Sequence, residues 1–350
     1  MGIWYATRED VKSALDYKET ARNNVQVDRA IEAASRVIEN DCHRLFYPTV
    51  GVRRFDWPNY QYARSWRLWL DENDVISLTS LVSGGVTIPA SAYNLEPVNT
   101  GPPYSSIEIK LSSSSALSAG ATWQQSTVLT GLFGYSNDEG PAGALAADCT
   151  SSATTIQVTD SASVGVGQLL RLGTERLNVT DKTSVTTGKT LQTPVTAAMA
   201  DNLLATGAGN GVSFTIGETV TLDAERMRIV DILGDSLNVI RAWDGSVLAA
   251  HNGSAIYAPR RLTVTRGALG TTAAAGTNGD AVVKWLPPGP VRELAIAYAC
   301  NSVLNESAGY ARTIGSGATQ RAATTIVANI GALTAQVNGT YGRKARSRAV

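Results

Sequence analysis

The side chains best suited to acid–base or metal chemistry are few in this chain, and their spacing is unfavourable. Only two histidines occur, His43 and His251. His43 follows Cys42 at the predicted end of a helix. Adjacent helical residues point in different directions, so this pair cannot easily bind one metal ion. His251 lies in a turn-like Ala-Ala-His-Asn-Gly segment. We therefore expect neither histidine to take part in catalysis.

Glycine-rich segments have the composition of phosphate-binding loops but not their spacing. Gly188-Lys189-Thr190 matches the end of such a loop, yet the required earlier glycine would fall at Thr183. Residues 207–211 lack the spacing of a dinucleotide-binding fingerprint, which favours a flexible loop. No nucleophile elbow, zinc-binding helix pair or calcium loop occurs in the sequence. The sequence therefore predicts that the protein is not an enzyme and uses no metal or cofactor.

The most informative pattern is an internal repeat. Residues 166–181 read VGQLLRLGTERLNVTD and residues 216–231 read IGETVTLDAERMRIVD, with glycine, leucine, Glu-Arg and aspartate in register. A second matched pair follows at residues 237–253 and 262–279. Repeats of this kind are structural modules rather than active sites. The recurring Glu-Arg pairs could be paired carboxylates, but duplication explains them better, and we expect an ion pair on a strand at each module surface.

The order of the repeats predicts that one module is nested in the other. One complete unit, from residue 216 to about residue 257, lies between the opening and the ending of its sister. We predict an outer β module formed by residues 141–191 and 261–285, and an inner β module formed by residues 192–260. Deleting Gln192 to Arg260 should then leave a folded protein. Two serial, interdependent modules are the alternative.

Composition limits the partners of the chain. Its 350 residues include 30 lysines and arginines and 30 aspartates and glutamates, so no overall field favours nucleic acid or an anionic membrane. Charged residues make up 17% of the chain, whereas Gly, Ala, Ser and Thr are abundant. This mix suits short strands, many turns and surfaces hidden in subunit contacts. The three separated cysteines indicate free thiols in a reducing compartment. We also expect no secretory leader and no membrane span.

Outside the repeat, apolar spacing predicts helices near both ends of the chain and strands between them. Thr7 to Asp10 resembles a capping box, and an apolar stripe predicts a helix from Val27 to Leu45. Alternation predicts half-buried strands between Arg53 and Tyr135. Residues 291–304, after a proline step, predict a buried helix. The predicted fold class is α+β, with a small helical core, a β-sheet portion, inserted nested all-β modules and an extended C-terminal tail.

The tail, residues 312–350, has few large apolar side chains. Ordering about forty residues costs roughly 1–2 kcal/mol each in backbone entropy, so we predict that the tail is disordered alone and orders only against a partner. It ends in a basic cluster that includes Arg343, Lys344, Arg346 and Arg348. A solvated basic end is one interpretation, and an electrostatic clamp on a partner or on passing DNA is the other.

Aromatic and arginine side chains alternate in one short segment, which predicts a contact surface. Such a surface could stack on nucleic acid. A protein contact is favoured, because tryptophan and arginine dominate interface hot spots. The residues of this candidate subunit-contact patch are Trp57, Arg64, Trp66, Arg67 and Trp69.

Three further segments carry a resemblance to a known family. They are Tyr5-Ala-Thr-Arg-Glu-Asp-Val11, residues 30–46, and Val128-Leu-Thr-Gly-Leu-Phe-Gly-Tyr-Ser136 leading toward Pro-Pro and an apolar final helix. Together they resemble the head-to-tail connector (adaptor) proteins of long-tailed, siphovirus-type bacteriophages, over roughly the first 136 residues and from Pro287 to about Tyr310. In that family the Pro-Pro step soon follows Gly-Tyr-Ser. Here the whole repeat region intervenes, which is explained if the modules are inserted at an exposed tip.

The resemblance implies a structural virion protein at the head–tail interface. Such connectors form a ring, generally of twelve subunits, between the portal protein and the next neck protein, a stopper or tail terminator. The ring extends the DNA channel, touches genome DNA non-specifically, and contacts no membrane. The connector core would be residues 1–140 with 286–311. The alternative is a β-rich virion decoration protein or a glycan- or receptor-binding protein. Carried onto this chain, the candidate portal and ring interface comprises Val291, Leu294, Tyr298, Leu304, Ile326, Ile330, Leu333, Arg343, Lys344 and Arg346.

Overall fold

The protein has an α+β fold in the computed structural model, which describes residues 2–57, 65–307, 313–314 and 321–343. The side chains of residues 313–329 lie outside this description. The sheets of the described chain are antiparallel, and strand residues outnumber helix residues. The α+β class predicted from the sequence is confirmed. Among the described residues, no helix has the length and apolar character needed to cross a membrane.

The helices in the described part of the chain are α1 (Arg8–Ala14), α2 (Asn24–Cys42), α3 (Gly289–Ser307) and α4 (Ala323–Tyr341). The capping box predicted at α1 is present: Thr7 Oγ1 accepts from Asp10 N at 3.2 Å, and Asp10 Oδ2 accepts from Thr7 N at 3.0 Å. The stripe predicted along this helix is buried at Val27, Ile31, Ala34, Ile38 and Cys42. Leu45, its last predicted member, lies beyond the end of α2 and is 42% exposed.

The prediction of an extended tail is wrong for residues 323–341, which form α4. This segment reads ATTIVANIGALTAQVNGTY and contains several alanines, the residue with the highest helix propensity. A helix satisfies its own backbone hydrogen bonds, so it needs fewer apolar side chains than an irregular segment does. Val337 is fully buried. Counting only large apolar side chains missed this local contribution.

The chain divides into two compact units. We call residues 34–138, 286–295 and 311–350 the sheet–helix unit, and residues 1–33, 139–285 and 296–310 the module unit. The sequence placed residues 1–33 in the connector core, whereas the structure groups them with the β modules. The reason is a set of contacts between residues 2–19 and the modules, which includes ion pairs from Arg8 and Glu19.

The sheet–helix unit contains two main antiparallel sheets, besides a short antiparallel pair of residues 313–314 with residues 321–322. The first has the strand order β1-β7-β3-β4 and the second has the order β2-β6-β5. Alternate residues of β7 are buried, as the predicted two-residue period requires. Leu68, Leu81, Ile107 and Leu129 are fully buried in the core that the sheets share. The strands are β1 (Thr49–Phe55), β2 (Arg67–Trp69), β3 (Val75–Ser83), β4 (Val86–Ile88), β5 (Tyr93–Glu96), β6 (Ser106–Ile109) and β7 (Thr127–Phe133).

The module unit contains one large antiparallel sheet. Its order is β12-β15-β14-β13-β16-β11-β10-β17-β8, and β9 also pairs with β16. The strands are β8 (Glu139–Ala144), β9 (Thr155–Gln157), β10 (Leu169–Leu172), β11 (Glu175–Thr190), β12 (Leu203–Ala205), β13 (Thr219–Leu222), β14 (Glu225–Leu233), β15 (Ser236–Ile240), β16 (Ala255–Thr265) and β17 (Ala281–Trp285).

The sequence repeat corresponds to a repeated strand arrangement. In the inner module, β14 and β15 are joined by the two-residue turn Gly234-Asp235, with Leu233 opposite Ser236. At the matching place in the outer module, Thr183 lies opposite Arg261. The inner module is the chain between these two residues. It therefore takes the place of a tight turn at the tip of an outer-module hairpin.

Paired strands open and close each module. β11 and β16 continue past the tip of the outer hairpin, where Val185 pairs with Ala258, and the inner module begins and ends on them. In the same way β8 and β17 open and close the outer module, with Glu139 opposite Trp285. A shift of strand register next to Thr183 marks the boundary between the modules.

Each module has a hydrophobic core of its own. Leu145, Leu170 and Leu262 belong to the outer core. Leu204 and Met227 belong to the inner core. Independent folding of residues 141–191 with 261–285, and of residues 192–260, stays a prediction.

A buried ion pair of the inner module is hydrogen-bonded to the outer module. Glu218 of the inner module accepts from Arg260 Nε and Nη2 at 2.7 Å each, and from Ser161 Oγ of the outer module at 2.6 Å. The guanidinium of Arg260 also stacks over the ring of Phe214, at 5.4 Å from its centroid. All three hydrogen-bonded residues are buried. Because each charge is paired and hydrogen-bonded, this joint couples the modules without leaving a buried charge unsatisfied.

Candidate functional site

The residues predicted on α3 as portal or ring contacts lie at different depths. Val291 and Leu294 are buried, so their side chains pack within the chain itself rather than on a surface. Tyr298 and Leu304 are half-buried. The apolar circumference of this helix is therefore used largely for packing in its own chain, as its sequence predicted.

The residues predicted near the C-terminus also differ in their surroundings. Ile330 and Leu333 are half-buried on α4. Arg343, expected to meet a partner, approaches Asp74 at 2.8 Å, as does Arg44. Burial raises the pKa of Asp74 in spite of the two guanidinium groups. The side chain of Ile326, and all of Lys344 and Arg346, lie outside the described residues.

The aromatic patch is only partly a surface. Trp57 is buried in the core of the sheet–helix unit, so it offers no exposed face to another subunit. Trp66 packs against the same core. Arg67 forms an ion pair with Glu108 and stacks over Trp69 at 5.2 Å. The alternation of aromatic and arginine residues reflects a strand with one buried face. Arg64 lies outside the described residues.

Two buried carboxylates lie at matching positions of the repeat, and each accepts several hydrogen bonds. Glu225 accepts from Arg241 Nε and Nη2 at 2.8 Å each, and from the backbone N–H groups of Ala242 and Ala249. Burial favours the neutral acid, but the hydrogen bonds from Arg241, the backbone and His251 outweigh it and lower the pKa of Glu225 to about 2.

The outer module repeats this network. Glu175 accepts from Arg266 Nε and Nη2 at 2.7 and 2.6 Å, and from the N–H groups of Gly267 and Ala274. Burial opposes the charge of Glu175 too, and the hydrogen bond from Arg266 leads the groups that lower its pKa. The expected surface ion pairs between neighbouring Glu and Arg residues are therefore wrong. Neighbours on a strand point to opposite faces, so each glutamate pairs across the module instead.

His251 is held inside the inner network. Its Nδ1 lies 2.7 Å from Asp223 Oδ2 and its Nε2 lies 2.9 Å from Glu225 Oε2. The side chain is 1% exposed, which leaves no open face for a substrate. Gly276 holds the matching position in the outer module, since Gly276 pairs with Cys149 as His251 pairs with Val195. No group of three His, Cys, Asp or Glu side chains that could hold a metal ion is found in the described part of the chain.

The N-terminal segment docks on one face of the outer module. Trp4 lies against Gly167 so closely that a Cβ on this glycine would stand 2.1 Å from the indole ring. The backbone of Val166 donates to Glu9 Oε2 at 2.8 Å and accepts from Arg8 N at 3.0 Å. Arg8 also approaches Asp181 at 3.6 Å. An aromatic ring, an arginine and two backbone hydrogen bonds thus fix this segment.

No family model, curated protein or solved structure matches the chain. The two modules can still be compared with each other, position by position.

The contacts of the N-terminal segment were not predicted from the sequence. Gly167 and Gly217 were visible as a repeated glycine, but the partner of Gly167 lies more than 160 residues away in sequence. The repeated arginines Arg241 and Arg266 were the available signal for the buried networks.

Proposed function

We propose that this protein forms a closed ring of identical subunits that connects the portal of a long-tailed bacteriophage to the next neck protein. Its role is structural, and it is not catalytic. The observation that carries the proposal is the course of the chain at the two ends of the module region. This course explains how a connector core can be interrupted by two modules and still be continuous in space.

The interruption begins and ends at adjacent residues. β7 leads through Gly134-Tyr135-Ser136 to Asp138, whose carbonyl oxygen accepts from Leu286 N at 2.8 Å. Pro287-Pro288 and α3 follow directly. Removing the module region, residues 139–285, would therefore bring Gly-Tyr-Ser next to Pro-Pro without a gap. That is the order in the connector family, which supports the proposal.

A ring of this type also needs two different surfaces on each subunit, because a head-to-tail interface joins unlike patches. The first sheet has two open edges, β1 and β4, with no further strand paired to either among the described residues. Val50 and Val52 are exposed on β1, and Val86 is exposed on β4. Exposed edge strands with apolar side chains favour pairing with another chain. The two edges are therefore the proposed ring contacts.

Cryo-electron microscopy of the purified chain, alone and with portal protein, tests the proposal. A ring, generally twelve-fold, is the expected result. Replacing Val50 and Val52 together by lysine should keep the chain monomeric in sedimentation, because charge on an edge strand blocks pairing. Leu111→Lys changes an exposed side chain outside the two edges and is the control. Leu111 is 81% exposed, against 39% for Val50 and 48% for Val52. Absence of rings in every sample, and absence of the chain from virion necks, would overturn the proposal.

A second candidate function is a virion decoration or receptor-binding role. Exposed apolar side chains on the inner module, such as Leu203 and Ile240, favour a binding surface on the modules. Specific signal from a monomer on a glycan array would favour this candidate and count against the ring.

A further inference from the structure

The inner module repeats the docking site that the outer module offers to the N-terminal segment, but residues 2–10 do not occupy it. Gly217 has φ +87°, close to the φ of +92° at Gly167. Of the described atoms, only Arg228 Nη2 comes within 4 Å of a Cβ placed on Gly217. Ile216 takes the place of Val166 and is 56% exposed, whereas Val166 is 2% exposed. Among the described residues, no aromatic ring atom comes within 4 Å of that Cβ, unlike in the outer site.

The charged contact of the outer site also recurs. Asp231 takes the place of Asp181, and both follow the same shift in strand register. Asp181 faces Arg8, whereas Asp231 is exposed and forms no ion pair within the described residues. Its Oδ1 accepts only the neighbouring N–H of Ile232, at 2.8 Å. The inner site therefore keeps a carboxylate suited to a cation, and no residue in the described part of the chain supplies one.

The surrounding face has become apolar in the inner module alone. Val230, Ile240 and Leu203 lie on the neighbouring strands β14, β15 and β12 and are between 41% and 49% exposed. At the matching positions the outer module has threonine in every case: Thr180, Thr265 and Thr155. The shared fold therefore does not require aliphatic side chains there. A contiguous exposed apolar patch of this kind marks an interaction surface.

We propose that this face of the inner module docks an extended segment of another polypeptide. An aromatic side chain of that segment lies over Gly217, its backbone bonds to Ile216, and an arginine or lysine pairs with Asp231. The aliphatic residues Val230 and Ile240 cover the remainder of the segment. This inference stands apart from the ring proposal, because it depends only on the comparison of the two modules.

One difference between the sites shows that the occupant is not the N-terminal segment of a second copy. Gly165 in the outer site faces Thr7, and a Cβ on Gly165 would stand 2.5 Å from Thr7 Cβ. The inner site has Thr215 at this position, which carries a Cβ. A segment with threonine at the facing position would therefore collide with the inner site. The occupant needs a small residue there, with glycine the best fit.

Two synthetic peptides test the proposal on the intact protein. The first is residues 2–10, GIWYATRED, and the second is the same peptide with Thr7→Gly. Fluorescence anisotropy of the labelled peptides measures binding. The Thr7→Gly peptide should bind at one site, and the unchanged peptide should bind at least tenfold more weakly. Ile216→Asp should abolish the binding and Asp231→Asn should weaken it several-fold, with thermal unfolding by circular dichroism confirming that both variants are folded.

Asp181→Asn is the matched control, since it removes the corresponding carboxylate of the occupied outer site. It should leave binding of the Thr7→Gly peptide unchanged. Equal binding of the two peptides would contradict the size argument from Thr215. Loss of binding in Asp181→Asn but not in Asp231→Asn would place the peptide on the outer module and overturn the proposal. Failure of the Thr7→Gly peptide to bind at about 1 mM, where an interaction is worth only about 4 kcal/mol, would overturn it as well.

Discussion

At the scale of single residues, a buried glutamate fixes a turn in each module. Ala242 has φ +52°, a left-handed conformation that residues with a Cβ seldom adopt. Its N–H donates to Glu225 Oε1 at 2.9 Å, and Arg241 Nε donates to the same oxygen at 2.8 Å. Gly267 adopts the same conformation at the matching position and donates to Glu175. In the inner module, the hydrogen bond from Ala242 to the carboxylate thus stabilises a backbone conformation that is otherwise unfavourable for alanine.

Removing one charge from such a pair should be costly and local. We expect Glu225→Gln to lower the free energy of unfolding of the inner module by about 3–5 kcal/mol, because Arg241 is left buried without its partner. Glu175→Gln is the matched change in the outer module. Hydrogen exchange measured by mass spectrometry should show each variant losing protection mainly in its own module. Equal loss of protection in both modules for either variant would contradict this prediction.

The same carboxylate should make the inner module sensitive to acid. The pKa of Glu225 is about 2 in the folded protein, against 4.5 for an ordinary glutamate. Because the folded pKa is depressed, the stabilisation is fully present above about pH 4.5 and is lost as the pH falls through about 2. The loss is on the order of 3 kcal/mol. Urea unfolding at several pH values measures it, and Glu225→Gln should show a smaller decline over this range.

The sequence predicted the residues of these networks only in part. Glu175 and Glu225 were recognised as repeated, but their partners Arg266 and Arg241 lie 91 and 16 residues away. A repeat reveals which positions match, whereas pairing across a module depends on which face of a strand each side chain occupies. Residue spacing therefore located the charges and misassigned their partners.

At the scale of elements, the long strands β11 and β16 decide where one module can be removed. The sequence placed the break near Leu191 and Arg261, but β11 pairs with β16 as far as Thr190. Deleting Gln192 to Arg260 would leave the second half of β11 without its partner strand. The strands are longer than the repeat because they belong to both modules, and periodicity alone gives no signal where one module passes into the next.

Replacing residues 184–260 by Gly-Asp should therefore leave a folded protein. This change gives the outer hairpin the same two-residue turn that joins β14 and β15, and Thr183 and Arg261 then flank it as Leu233 and Ser236 do in the inner module. Size-exclusion chromatography and circular dichroism should show a monomeric or assembled β-rich protein with cooperative unfolding. The Gln192–Arg260 deletion is the comparison, and we expect it to be less stable. An insoluble product in both cases would argue that the modules are interdependent.

At the scale of the whole molecule, the described residues include separate hydrophobic cores in the sheet–helix unit and in each module. The sequence predicts the nested order of the modules, because duplicated segments keep their register. The grouping of residues 1–33 with the modules could not be predicted, since contacts such as Trp4 with Gly167 depend on shape rather than on local pattern.

Separate cores should give separate unfolding steps. We expect calorimetry of the full chain to show more than one transition, because single-transition behaviour is usual only for one cooperative domain. The variant with residues 184–260 replaced by Gly-Asp should lose one transition and keep the others at nearly the same temperature. A single transition whose calorimetric and van't Hoff enthalpies agree would contradict this prediction.

The turn at Gly234-Asp235 gives this protein a direction of growth. This turn matches the position in the outer hairpin that the inner module occupies. It lies apart from β8 and β17, the strands that begin and end the module region. A further duplicate, or an unrelated domain whose ends lie close together, can be inserted at this turn while β8 and β17 stay unchanged. Related proteins that gained or lost a module at this turn would differ in length by whole modules and would keep β8 and β17 unchanged.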